Sequence, residues 1–310
     1  RSLGYKNPHD APPHFIDNED PKRTPSQTSR AIDFMRKQVR SGHPFYVQVS
    51  TYATHLSVVC RQSTLEEYEK KGTPDRGYTQ AWAAMLDDLD RGVGRLLDEL
   101  DRLGIAENTY VVFMSDNGGR RTVPGGDEER LPTNYPLTGA KHSLYEGGIR
   151  VPFLVRGPGI RPGAVCETPV VGYDLLPTFY ELAGGDEPMP AEIDGGSLRP
   201  LFADPANGAV TRPFDGLVFH RPYHARSRMS ALRRGRHKLV IQWQANGDIA
   251  GRELYDLEDT IVEEGNDIAA AHPDVTKRLD ADLMAYLEAV DAEMLPAPKR
   301  RRRPRKKKKK

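Results

Sequence analysis

Asn108-Thr-Tyr-Val-Val-Phe-Met-Ser-Asp-Asn-Gly-Gly119 decides the fold reading. Its middle, Tyr110 to Met114, is an unbroken run of β-branched, aromatic and apolar residues. Such a run predicts a strand buried on both faces, as in a parallel sheet. The run stops at Ser115, Asp116 and Asn117, and Gly118 and Gly119 then turn the chain. Ligands of open α/β sheets bind just beyond the carboxyl ends of the strands. A carboxylate and an amide at that place offer hard oxygen donors, which suit calcium or magnesium better than zinc. Asp-Asn-Gly-Gly also reads simply as a polar turn.

Upstream, Tyr78, Trp82, Met85, Leu86, Leu89, Val93, Leu96, Leu97, Leu100 and Leu103 recur at three and four, the spacing of a long amphipathic helix. Gly104 ends it. Phe45 to Ser50 alternates apolar and polar, which predicts another strand. Strand, long helix and strand make a βαβ unit, so a right-handed crossover and a parallel pair are expected. That pairing would set Ala53-Thr-His55 at the same sheet edge as Asp116. A helix over 27–40 precedes the first strand, and residues 1–26 read as irregular.

Downstream, residues 118–148 form a long glycine-rich loop. Loops beyond ~12–15 residues in a compact domain are usually functional or disordered. A short strand at 153–155 and a helix over 172–182 follow, with Asp174 as a helix cap. Near 194–213 Gly, Pro and Asp become frequent. Short segments at 217–220, 229–233, 238–243 and 253–257 then predict a small antiparallel sheet, closed by a helix over 274–290. No internal repeat is present. The expected fold is α/β, a mixed and largely parallel sheet flanked by helices. It divides into a catalytic part over 1–213, a small α+β subdomain over 214–292 and a basic tail over 293–310.

The chain has 310 residues and a formal net charge of +1, which hides two opposite parts. Of the 45 Lys and Arg, 11 fall in the last twelve residues, so the preceding 298 carry 34 against 44 Asp and Glu, a net −10. An acidic body argues against nucleic acid as its ligand. The tail repels itself, reads as disordered, and suits polyanions such as nucleic acid or an anionic membrane. It reads equally as a low-complexity extension outside the chemistry. No apolar run reaches the ~18–20 residues that span a bilayer. Two cysteines, Cys60 and Cys166, make no disulfide framework and have no metal-ligand spacing.

Ser115-Asp-Asn-Gly-Gly119, Gly139-Ala-Lys141 and Tyr145-Glu-Gly-Gly-Ile-Arg-Val-Pro152 together resemble the sulfatases of the alkaline phosphatase superfamily. Ala53-Thr-His55, Asn134-Tyr-Pro-Leu137, Asp174-Leu-Leu-Pro-Thr178 and Glu253-Leu-Tyr-Asp-Leu257 extend the resemblance in the same order over most of the chain. It implies a sulfuric ester hydrolase acting on a small-molecule or glycan sulfate ester. Asp116 and Asn117 would ligate a divalent cation, calcium ahead of magnesium. Lys141 would bind a sulfate oxygen, and His55 would face the ester oxygen and protonate the leaving alcohol. A cation, an ammonium and a proton donor aimed at developing charge lower the barrier. Taken alone, Lys141 reads as a solvated loop lysine and His55 as a structural histidine. Glu146 and Arg150 read as fixing the loop rather than as catalytic, and His142 carries no role.

The departures are specific. Sulfatases use a formylglycine made within Cys/Ser-x-Pro-x-Arg, and neither Cys60 nor Cys166 begins such a motif. The family's Asp-Asp pair is also missing, and Thr54 stands where proline is usual. The expectation is therefore that Arg1 begins inside a sulfatase, after the nucleophile segment, and that these 310 residues alone are inactive. Two other readings fit the residues. One is a phosphodiesterase or phosphonate monoester hydrolase of the same superfamily. The other is an inactive sulfatase-like fragment whose basic tail binds nucleic acid or membrane. Localisation, substrate identity and oligomeric state are not readable.

Overall fold

The computed structural model describes residues 20–74, 76–126, 131–224 and 227–294. The start of the chain up to residue 19, read from sequence as irregular, the centre of the 120–133 loop and the tail from residue 295 lie outside them. The chain runs α1 (Thr24–Arg40), α2 (Gln62–Lys71), α3 (Gln80–Arg102), β1 (Val111–Met114), a one-turn α4 (Glu146–Ile149) and β2 (Phe153–Arg156). It continues with α5 (Leu175–Leu182), α6 (Arg199–Ala203), β3 (Leu217–Arg221), β4 (Met229–Arg234), β5 (His237–Trp243), β6 (Ile249–Asp256) and α7 (Pro273–Ala289). It separates into two compact units. One holds the residues up to Tyr135 with Pro152–Thr168 and Pro200–Gly208; the other holds Pro136–Val151, Pro169–Arg199 and the residues from Ala209 onward. The second unit therefore includes the whole segment that carries Lys141.

In the first unit, α3 is the central element. Its first turn is capped by Thr79, whose hydroxyl accepts the Trp82 N–H at 3.1 Å. The apolar stripe predicted from spacing packs in two places, although Leu86, read as part of it, is exposed. Met85, Ala81 and Ala84 meet Val58 and Cys60. Leu100, Leu96 and Leu97 meet Ile32 and Met35 of α1. The helices come close at Gly92, where a Cβ would lie 2.9 Å from Thr24 Cγ2. Two buried acids lock the packing. Asp88 accepts from the Thr64 hydroxyl at 2.7 Å and the Arg61 N–H at 2.8 Å. Glu99 takes both ends of the Arg36 guanidinium at 2.8 Å.

The strands of this unit depart from expectation. Phe45 to Ser50 is assigned to no strand; Phe45 and Val47 pack on the α1–α3 core, while Gln48 bridges Tyr46 and Ser50 on the exposed side. Alternation thus reports a half-buried extended segment without a ladder partner among the described residues. β1 is a strand, but it pairs antiparallel with β2, from Val111↔Arg156 to Met114↔Phe153. With one neighbour among the described residues, β1 is not buried on both faces, and Phe113 and Met114 are exposed. The βαβ parallel pair does not form, and every ladder among the described residues is antiparallel. The α/β class itself holds.

In the second unit the four short segments read after residue 213 form a sheet. β3-β4-β5-β6 form an antiparallel meander in sequence order. Successive side chains alternate faces. Leu232, Leu239, Ile241, Trp243 and Leu254 face Leu279, Leu283 and Leu287 of α7. Met229, Ala231, Val240 and Tyr255 face the other way, onto Leu144, Tyr145 and Ile149. Both faces are covered, which is why β4 and β5 read as near-continuous apolar runs. Asp174 caps the start of the 172–182 helical segment, as read: its fully buried carboxylate accepts the Val171 N–H at 2.9 Å. The same carboxylate also accepts from the Gly196 amide at 3.0 Å and from Arg212 at 2.8 and 2.6 Å.

Candidate active site

Asp116 and Asn117 directly follow β1. The Ser115 N–H donates to the Pro152 carbonyl at 3.3 Å, so the β1–β2 ladder holds the chain up to the residue before Asp116. The Ser115 hydroxyl donates to the Asn117 carbonyl at 3.0 Å and fixes the bend. Asp116 is exposed; Asn117 turns its Nδ2 to the Gly118 carbonyl at 3.1 Å, which leaves Oδ1 as the acceptor. The pair thus supplies hard oxygens, the donor chemistry of calcium and magnesium. It supplies two donors against the roughly six to eight that calcium takes. Among the described residues no group of three or more His, Cys, Asp and Glu comes together. The donor type fits a hard divalent ion, and the donor number is partial.

His55 lies in the turn after the extended 43–51 segment, with its N–H on the Tyr52 carbonyl at 2.8 Å. Its Nδ1 is 2.9 Å from the Leu56 carbonyl. A carbonyl only accepts, so Nδ1 carries a proton there. The parallel register expected to set His55 at the sheet edge of Asp116 is not formed.

Lys141 belongs to the second unit and stands in a tight turn. Ser143 N–H donates to the Ala140 carbonyl at 2.9 Å, the Ser143 hydroxyl donates to the same carbonyl at 2.9 Å, and Ala140 N–H donates back to that hydroxyl at 3.2 Å. Lys141 and His142 form the tip. His142 has φ +85°, the left-handed conformation that usually selects glycine, and its ring stacks on His224 at 4.6 Å between centroids.

The turn sits in a loop fixed from beneath by Glu146 together with Lys238 and Glu263, which the sequence did not single out. Lys238 on β5 is fully buried, and its ammonium lies 2.8 Å from both Glu146 and Glu263. Glu263 also accepts the Glu146 N–H at 2.6 Å. Burial pushes the Glu146 carboxyl up, but Lys238, Arg233 and Arg150 together outweigh it and hold the group below its ordinary range. Burial dominates at Glu263 and raises it. Beside this cluster the Tyr145 hydroxyl donates to Glu253 at 2.6 Å, and Gln242 donates to Glu253 at 2.7 Å and to the Tyr145 oxygen at 3.0 Å. Glu146 and Arg150 are thus structural, as read. The available signal for the missed partner was a lone lysine inside the apolar run Lys238-Leu-Val-Ile241. A buried lysine needs a carboxylate.

A sulfatase profile matches residues 9–185, and a profile described as N-sulphoglucosamine sulphohydrolase, C-terminal, matches residues 140–290. A sulfatase of Formosa agariphila is 30% identical over 305 residues, covering 87% of this chain and 52% of its own length. Human arylsulfatase A is 33% identical over 225 residues, 70% of this chain and 40% of its own. The crystal structure of Ps i-CgsB in complex with k-i-k-neocarrahexaose superposes with a TM-score of 0.70 at 27% identity, over 85% of this chain and 54% of that one. The chain spans about half the length, or less, of the curated relatives it matches. Members of the family work with a metal ion and a formylglycine. With one profile covering more than half of its residues and its site motifs in family order, the chain belongs to the sulfatase family.

Proposed function

We propose that the protein hydrolyses a sulfate monoester, and that Lys141 and His55 act on the sulfate while Asp116 and Asn117 hold a calcium ion. The observation that carries this reading is Lys141 at the tip of the Ala140–Ser143 turn, inside a segment matched by both family profiles. The family's formylglycine, a modified residue of the polypeptide, would supply the attacking oxygen, and a bound divalent ion would draw charge from the sulfate oxygens. The remaining chemistry belongs to this chain. The Lys141 ammonium donates to sulfate oxygens whose charge grows toward the transition state. With His55 Nδ1 turned to Leu56, a proton for the leaving oxygen comes from Nε2 of the imidazolium. A carbohydrate bound in the Ps i-CgsB structure supports a sulfated oligosaccharide as the substrate class.

The test uses the protein expressed from its complete reading frame. Chelation should abolish turnover of an aryl sulfate, and calcium should restore it better than magnesium. His55→Ala should lower kcat about 10²–10⁴-fold for an alkyl sulfate, the range of general acid catalysis. It should do much less for 4-nitrophenyl sulfate, whose leaving group needs no proton. Equal losses on both substrates would remove His55 from the proton-donor role.

A further inference from the structure

We propose that Lys238 is a positioning residue for Lys141, acting through Glu146, Glu263 and Thr138 from beneath the loop; this rests on the reading of Lys141 as the sulfate-binding group. The connection is continuous within one compact unit. Lys238 holds both carboxylates at 2.8 Å. Glu263 holds the Glu146 amide at 2.6 Å. The amides of Glu263 and Glu264 both donate to the Thr138 hydroxyl, at 3.0 and 2.7 Å. The Thr138 carbonyl accepts the Gly147 N–H at 2.8 Å. The loop from Thr138 to Gly147 is therefore pinned at one end to Lys238 through the Glu146 carboxylate and at the other to the backbone of Glu263, whose carboxylate Lys238 also holds, with Lys141 between them. At Gly147 a Cβ would stand 2.5 Å from the Gly139 carbonyl, so the loop closes on itself with no room for a side chain.

Stability alone does not explain this choice. A buried ion cluster commonly contributes no more than an apolar group of the same shape, because desolvating the charges offsets their attraction. What the cluster adds is direction. An ammonium between two carboxylates allows few arrangements, whereas methyl groups would let the loop slide. A positioned ammonium gains its effect from placement within a fraction of an ångström. The antiparallel sheet is then the template for the lysine turn.

The test is a double-mutant cycle on aryl sulfate turnover, again with the protein from its complete reading frame. Lys238→Met is expected to lower kcat at least tenfold in protein that is still folded at the assay temperature. Lys141→Ala/Lys238→Met is expected to be no slower than Lys141→Ala alone, since Lys238 acts only through Lys141. Thr138→Val, which removes just the hydroxyl that receives both amides, should behave like Lys238→Met, and Thr138→Ser should retain wild-type turnover. This second series serves if Lys238→Met does not fold. Multiplying losses in the double variant, or unchanged kcat in both folded Lys238→Met and Thr138→Val, would overturn the proposal. Wild-type turnover in Lys141→Ala would instead overturn the reading of Lys141 itself, and this inference with it.

Discussion

At the residue scale, burial decides which side chains react and which hold. Cys60 has no exposed surface, and burial pushes its thiol up to about 12, with Asp88 and Glu69 adding to the effect. Cys166 is exposed. A thiol titration of the native chain at pH 8 should therefore register Cys166 at once and Cys60 only after denaturation; immediate reaction of both would contradict the packing of α2 on α3. Lys238→Met strands two buried carboxylates and should destabilise the second unit by about 3–5 kcal/mol. Adding Glu146→Gln and Glu263→Gln should recover part of that, as measured by chemical denaturation. Acid acts on the same cluster. Glu146 is depressed in the folded state, so its contribution is complete above the unfolded carboxylate range and is lost as pH falls through its lower folded value. Glu263 is raised and has the opposite sign: its contribution is lost as pH rises through its folded value. Removing Glu146's share with Glu146→Gln should flatten the acid limb of a stability–pH profile; an unchanged limb would mean that Glu146 is not held ionised by Lys238.

At the element scale, what was readable was periodic. The stripe on α3 follows from its spacing, the closing helix became α7, and the four short segments after residue 213 became β3 to β6. Pairing was less readable because it is not local. The run Tyr110–Met114 identifies a strand but not its neighbour, and β2, more than thirty residues on, supplies an antiparallel one. Asp174 shows the same limit: its place near the start of the 172–182 helix predicts a cap, which forms, but not its ion pair with Arg212, far along the chain. Asp174→Asn should cost about 3–5 kcal/mol, as expected for breaking a buried pair and leaving Arg212 uncompensated. A change under about 1 kcal/mol in urea denaturation, the size of a lost cap, would contradict that assignment.

At the scale of the whole molecule, composition bounded the answer and the motifs chose within it. A body of net charge −10 argued against nucleic acid as its ligand, and no helix among the described residues is long and apolar enough to cross a membrane. The ordered motifs then pointed to the sulfatases, and the comparisons show that family. Of the four candidate residues, Asp116 and Asn117 read as hard oxygens after a strand, while Lys141 and His55 were singled out only by the family resemblance. Their supports were not, because Lys238, Glu263 and Thr138 meet only once the sheet has formed. The central claim is sulfate ester hydrolysis, and one comparison tests it most directly. The protein from its complete reading frame is assayed on 4-nitrophenyl sulfate and 4-nitrophenyl phosphate with calcium, as wild type and as Lys141→Ala. The account predicts a higher kcat/KM for the sulfate and loss of that activity in Lys141→Ala; preference for the phosphate, or sulfate turnover untouched by the substitution, would contradict it.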